Sequence, residues 1–281
     1  MKKKKELKEL LFNYGFRPRR SFGQNFLVDE NAKERIIRAA GVTDEDTVVE
    51  IGPGIGALTI DLAKKAKRVL AVEKDARMCS ILGEMLENDG IENVTIFNED
   101  ILEFDLAKAV GRSRSIVVGN LPYCITSPIL HYFIRQRERI SAALITIQRE
   151  VSDRLLAKPH SKEYGSLTCL VQFYFKPSRV FTMPRNSFYP APEVSSNFVR
   201  LVVRSEPPVK VKNEELMFLV IRAGFNQRRK TFVNAVANRG PSEVTKERVI
   251  DALRECGISE KARAEDLALS DYAKVTNVLA G

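Results

Sequence analysis

The sequence predicts an α/β chain: a mostly parallel sheet covered by helices, followed by a smaller helical domain. Three observations carry this. Short apolar, β-branched runs recur at residues 48–51, 69–72, 94–97, 115–118 and 143–147. Segments with helical spacing or a glycine turn separate them, the pattern of a parallel sheet buried on both faces. Beyond residue 213 the strand-like runs cease and helical spacing takes over.

In chain order, residues 1–28 form a basic arm. "TVVEIGPGIGALTIDLAKKAKRVLAVEKD" (47–75) then reads as strand, glycine turn, helix, strand. Val48, Val49 and Ile51 are an apolar run, Leu58, Leu62 and Ala66 repeat at helical spacing, and Val69, Leu70, Ala71 and Val72 make a second buried strand. Residues 78–86 read as helical. After the strands at 94–97, 115–118 and 143–147, residues 170–175 and 197–203 are both strand-like with no long helix between. They are expected to close the sheet as an antiparallel pair. "RSEPPVK" (204–210) reads as a linker. The expected division is therefore a sheet domain over 1–204, carrying the basic arm, and a helical domain over 209–281. The latter holds "EELMFLVIRAGF", "KTFVNAVAN", "KERVIDALRECG" and a last piece ending "YAKVTNVLAG".

Charge is concentrated at the two ends. Residues 1–20 hold eight Lys/Arg against two Glu, residues 209–281 hold thirteen against ten, and the stretch between is balanced at 24 against 24. A basic arm on a neutral body points to a polyanion, most simply nucleic acid. A solubilising tail fits the same charge. No apolar stretch reaches the ~18 residues of a membrane helix, and "MKKKKELKELL" lacks the apolar core of a secretory signal. A cytoplasmic protein with no membrane association is expected. Four scattered cysteines without a CxxC pair read as free thiols. With only His131 and His160, far apart in sequence, no metal site is expected.

Glu50-Ile51-Gly52-Pro53-Gly54-Ile55-Gly56 places G-x-G-x-G between a strand and a helix, where glycines let a ligand approach the backbone. Glu73 ends the next strand 21 residues after Gly52, where an acid accepts both hydroxyls of a ribose. A nucleotide-like cofactor is expected. Nicotinamide-binding chains set the third glycine one place later. The form seen here resembles that of class I S-adenosyl-L-methionine-dependent methyltransferases. That resemblance implies a Rossmann-like, mostly parallel seven-stranded sheet. It also implies that Asp100, in Asn98-Glu99-Asp100, accepts from the adenine amine of the cofactor. Local rules equally fit Asp100 as the N-cap of "ILEFDL".

Asn120-Leu121-Pro122-Tyr123 follows the strand at 115–118, at the end where open α/β sheets bind ligands. It resembles the (D/N)-P-P-Y signature of methyltransferases acting on exocyclic N6 of adenine. The residue types suit the chemistry. The N6 lone pair is delocalised into the ring, so an acceptor on each N–H helps to localise and aim it. Asn120 Oδ1 and the Leu121 carbonyl are the expected acceptors. Pro122 stiffens the backbone, and the Tyr123 ring stacks on an extruded base. Leu121 stands where the DNA enzymes have proline, which weakens the DNA reading.

Further segments extend the resemblance. "SFGQNFL" (21–27), "GPGIG", "NLPYCITSPI", "QREVSDRLLAKPHSKEYGSLT" (148–168), "SFYPAPEVSSNFVRL" (187–201) and "FNQRRKTFVNAV" (225–236) occur in the order found in KsgA-type small-subunit ribosomal RNA adenine N6,N6-dimethyltransferases. The chain is similar to that family nearly end to end. The resemblance implies cofactor contacts by Asn25, Leu27, Gly52, Gly54, Glu73, Asp100 and Asn120. It implies catalytic roles for Asn120, Leu121, Pro122 and Tyr123, with Phe188 as a second ring on the target adenine. RNA contacts are expected from Arg17, Arg19, Arg20, Arg228, Arg229 and Lys230. By local rules alone Asn25 also fits a helix cap, Phe188 a core aromatic, and Arg228-Arg229-Lys230 a solvated helix face. The implied activity is transfer of methyl groups from S-adenosyl-L-methionine to two adjacent adenosines in the 3′-terminal hairpin of 16S rRNA, by a monomer acting on the small ribosomal subunit. Two alternatives share these features: a large-subunit dimethyltransferase of the macrolide-resistance type, and an assembly factor whose methylation is secondary.

Overall fold

The computed structural model describes residues 2–16 and 23–281. The expected RNA contacts Arg17, Arg19 and Arg20 lie outside the described residues. The chain forms two compact units. The first comprises residues 1–152 and 178–203, the second 153–177 and 204–281. This division differs from a single cut at 204–209, because residues 153–177 pack with the C-terminal helices.

The elements, in order, are α1 (Lys2–Asn13), β1 (Phe26–Leu27), α2 (Glu30–Ala40), β2 (Thr47–Ile51), α3 (Thr59–Ala63), β3 (Arg68–Val72), α4 (Ala76–Asn88), β4 (Val94–Phe97), α5 (Leu106–Val110), β5 (Ser115–Asn120), α6 (Thr126–Arg135), β6 (Ile140–Gln148), α7 (Arg149–Leu155), α8 (Ser166–Tyr174), β7 (Phe175–Met183), β8 (Phe188–Tyr189), β9 (Ser196–Val203), α9 (Glu214–Asn226), α10 (Phe232–Arg239), α11 (Lys246–Glu255) and α12 (Leu269–Leu279).

Seven strands form one sheet in the order β4-β3-β2-β5-β6-β9-β7. Strands β4 to β6 run parallel, and β9 joins β6 antiparallel. The order reverses between β2 and β5, so the C-terminal ends of β2, β3, β4 and β5 open onto one crevice. All five residues of β2 are buried, as a strand covered on both faces requires. On one face Ile36, Ile37 and Leu62 pack over Val48, Val69, Val118 and Leu144. Leu82 and Leu86 of α4 cover Ala71.

One sequence expectation is corrected. Residues 170–174 are helical, and the strand begins at Phe175. Cys169, Val171, Phe173 and Phe175 are all buried, an alternation that imitates a strand. In the helix, Cys169 and Phe173 lie one turn apart and enter the core of the second unit with Met217, Val220 and Phe232. That unit is otherwise helical, capped at Asn213, Thr231 and Thr245 by side-chain oxygens.

The arm is built into the first unit. Leu7 and Leu11 of α1 pack with Phe16, Phe26, Met78 and Ile81. Tyr14 Oη donates to Glu84 at 2.8 Å. Arg77 donates to the carbonyls of Tyr14 and Gly15 at 3.3 and 3.1 Å.

Candidate cofactor and substrate cleft

A cavity of about 320 Å³ lies at the C-terminal ends of the parallel strands. Its lining draws on the arm, the glycine turn and the exits of β3, β4 and β5. Of the expected cofactor residues, Asn25, Leu27, Gly52, Gly54, Glu73, Asp100 and Asn120 all reach it.

The glycine turn explains its own composition. Gly54 has φ +58°, and a Cβ there would stand 3.1 Å from the Phe26 ring of the arm. At Gly56, φ +86°, a Cβ would meet Leu82 at 2.7 Å. Glu73 is held by the backbone: Oε2 accepts from Gly54 N at 3.2 Å and Oε1 from Asp75 N at 2.9 Å. Burial pushes its carboxyl above the ordinary range, and those backbone donors pull it partly back.

Asp100 combines both readings made of it. Oδ1 accepts from Leu102 N at 3.0 Å, capping a turn rather than a helix, while Oδ2 takes the Lys74 ammonium at 2.7 Å. Burial works against its charge, but Lys74 and the Leu102 N–H outweigh it, and the carboxyl sits below its ordinary value.

Asn120 is the last residue of β5, paired with Thr146 of β6, rather than a loop residue. Its Nδ2 donates to the Asn25 carbonyl at 2.6 Å. Leu121 is buried, and its N–H donates to Thr146 O at 3.3 Å. The arm passes directly over this segment, since a Cβ on Gly23 would lie 3.1 Å from Pro122 Cβ. A single 3₁₀ turn follows, Tyr123–Ile125, closed by Ile125 N to Pro122 O at 3.2 Å. The Tyr123 and Ser196 hydroxyls are 2.6 Å apart.

Asn25 does not cap α2; Asp29 does, accepting from Ala32 N at 3.2 Å. Asn25 Nδ2 instead donates to Gly23 O at 3.0 Å and shapes the turn. Phe188 is 1% exposed and packs in the core beside Met183 and Phe198. It pairs with Leu27 in the short β1–β8 ladder and does not line the cleft. Arg228 is tied within the second unit: it ion-pairs with Glu265 and donates to Lys162 O at 2.9 Å. Arg229 and Lys230 are exposed.

The structure adds cleft residues that sequence reasoning did not assign. Lys74 and Met78 line the cavity, and so does Gln24, whose Nε2 donates to Asp75 at 3.3 Å. Glu50 is the most telling. It is 2% exposed, and its Oε2 has no hydrogen-bond partner among the described residues. Burial pushes its carboxyl up to about 8; the Thr59 hydroxyl lowers it somewhat and the Glu73 charge adds to the rise. The signal for Glu50 was an acid inside the apolar strand "TVVEI".

Comparison with known proteins agrees with this arrangement. Residues 15–281 match the family model described as ribosomal RNA adenine dimethylase. The chain is 44% identical over 278 residues to ribosomal RNA small subunit methyltransferase A of Geobacillus thermodenitrificans, covering 97% of this chain and 94% of the relative. Among solved structures it resembles a dimethyladenosine transferase from Plasmodium falciparum, with a TM-score of 0.75 at 26% identity over 89% of this chain and 95% of that one. It also resembles the 23S rRNA methyltransferase ErmE, with a TM-score of 0.70 at 26% identity over 92% of this chain and 100% of that one. A motif-bearing cleft on a seven-stranded methyltransferase sheet, with this match along nearly the whole chain, places the protein in the ribosomal RNA adenine dimethylase family.

Proposed function

We propose that this chain transfers methyl groups from S-adenosyl-L-methionine to N6 of two adjacent adenosines in the 3′-terminal hairpin of 16S rRNA, giving N6,N6-dimethyladenosine during small-subunit biogenesis. The observation that carries this reading is the orientation of Asn120. An amide whose Nδ2 donates to the Asn25 carbonyl has its Oδ1 left as the acceptor. An acceptor at the end of β5 is what a planar amine needs there.

The cleft suits the cofactor by its donor set. Glu73 accepts from ribose hydroxyls, Asp100 accepts from the adenine amine, and the Gly52 and Gly54 backbone allows close approach. The unpartnered Glu50 carboxyl supplies a further buried polar group, able to donate as well as accept when protonated. Asn25 and Leu27 close the cleft from the arm. When bound, S-adenosyl-L-methionine supplies the electrophilic methyl group. Asn120 Oδ1 and the Leu121 carbonyl accept the two N–H bonds of the target amine and aim its lone pair, and Pro122 stiffens the backbone that presents them. The methylated amine is acidic enough to release its proton to water, so no strong general base is required. Tyr123 stacks on the extruded base. Phe188 supports the site from the core beneath it rather than as an exposed ring. Arg229 and Lys230 contact phosphates, and Arg228 orders the loop that carries them.

The test is methyl transfer from labelled cofactor to isolated small and large subunits, followed by nucleoside analysis. Label in dimethyladenosine from small subunits alone is expected. Label in large subunits would favour the macrolide-resistance type of activity. Binding to small subunits without label would favour an assembly factor.

A further inference from the structure

Lys74 lines the cleft beside Asp100, the acid proposed to meet the adenine amine. Its backbone is held. β3 and β4 pair up to Val72 and Phe97, Glu73 N donates to Phe97 O at 2.9 Å, and Glu99 N donates to Glu73 O at 3.1 Å. Asn98 Nδ2 then bridges the carbonyls of Glu73 and Lys74 at 3.0 and 3.2 Å. From this fixed base Lys74 Nζ reaches Asp100 Oδ2 at 2.7 Å, while Leu102 N holds Oδ1 at 3.0 Å. One donor sits on each carboxylate oxygen, so the plane of the group is set and each oxygen keeps a second acceptor position. Both residues line the cavity.

We propose that Lys74 is a positioning residue and a determinant of purine specificity: its ammonium holds the Asp100 carboxylate turned toward the cofactor, as an acceptor for a 6-amino group. The proposal rests on Asp100 being the adenine contact. Stability does not account for the pair. The Lys74 side chain is 62% exposed and that of Asp100 is 23% exposed, and such pairs contribute little to folding. Its effect is on where Asp100 points. An ionised carboxylate only accepts, and so suits an N–H donor and disfavours the 6-oxo group of a deaminated purine; Lys74 and Leu102 N fix the plane in which it does so. The shifts of the two groups agree in sense, with Lys74 raised by Asp100 and Asp100 lowered net of burial.

The experiment is calorimetric binding of S-adenosylhomocysteine and its 6-oxo analogue, S-inosylhomocysteine, to the full chain and to Lys74→Met, Lys74→Arg, Asp100→Asn and the Lys74→Met/Asp100→Asn double variant. Asp100→Asn is expected to weaken the adenosyl ligand and to lose preference over the inosyl one. Lys74→Met should weaken the adenosyl ligand about fivefold, the scale of one partly exposed charge-assisted contact, and narrow the same preference. Lys74→Arg should restore both. In the Asp100→Asn background Lys74→Met should add nothing. Wild-type affinity for Lys74→Met beside a weakened Asp100→Asn overturns the proposal and leaves the Asp100 assignment standing. So does an equal Lys74→Met loss in both backgrounds. Wild-type affinity and preference in Asp100→Asn remove the Asp100 assignment itself, and the proposal with it.

Discussion

Asn120 Nδ2 and the Asn25 carbonyl oxygen lie 2.6 Å apart although 95 residues separate them in sequence. The bond ties the arm to the end of β5 and, by using the amide's donor, settles which way its acceptor faces. One contact therefore joins two residues that both line the cleft.

Asn120→Ala should lower single-turnover methylation of small subunits by about a hundredfold or more, the scale of removing one preorganised electrostatic contact. It should also lower stability by about 1 kcal/mol through the lost Asn25 bond. Asn120→Asp keeps an acceptor but sets a carboxylate against the Asn25 carbonyl, so its main defect should be weaker cofactor binding. Rate measurements beside melting curves separate these effects. A wild-type rate for Asn120→Ala would remove the catalytic assignment.

Tyr123 and Ser196 form a second pair, their hydroxyls 2.6 Å apart. Tyr123→Ala should cost roughly 1–3 kcal/mol of base stacking. Tyr123→Phe keeps the ring but orphans the fully buried Ser196 hydroxyl, so it should lower stability by roughly 1 kcal/mol. Ser196→Ala should behave similarly, and the two changes together should cost less than their sum. Additive losses in a double-mutant cycle would show that the two hydroxyls act independently.

Glu50 makes stability depend on pH. Its carboxyl is raised from 4.5 to about 8, so the folded chain holds a proton that the unfolded chain releases. Stability should therefore fall as pH rises through that window and level off above it. The raised Glu73 carboxyl contributes in the same sense. Glu50→Gln should flatten the curve and gain relative to wild type at the alkaline end. Melting temperatures between about pH 5 and about pH 9 check this; parallel curves for the two proteins would contradict the assignment.

The cationic cluster should divide in two. Replacing Arg229 and Lys230 by Gln should reduce the slope of log affinity for rRNA against log salt by about 1.4, or about 0.7 per phosphate on a single strand, without changing the melting temperature. Arg228→Gln should instead lower the melting temperature, because Glu265 and the Lys162 carbonyl lose their partner. An unchanged salt slope in the double variant would mean that these residues face only water.

Much of the site was legible because its logic is local. The glycine turn, Glu73 at the next strand end, Asp100 at the one after and Asn120 at the fourth follow from strand–turn–helix order, and the parallel sheet brings all four to one crevice. Other features were not legible because they depend on what surrounds a residue. Residues 170–175 read as a strand, yet the helix runs through Tyr174 and turns Cys169 and Phe173 into the core of the second unit. The ring in Phe-Tyr-Pro is buried because it packs with Phe181, Met183 and Phe198. Arg228 looks like its neighbours in sequence, and only the placement of Glu265 ties it down. Sequence alone determined the sheet, the glycine turn and the Asn-Leu-Pro-Tyr strand end, since each is written within a few consecutive residues. Tertiary structure decided the Asn25–Asn120 bond, the unpartnered Glu50 and the Lys74–Asp100 pair. Hydrogen bonds and desolvation act through space, and spacing along the chain does not encode which distant groups meet.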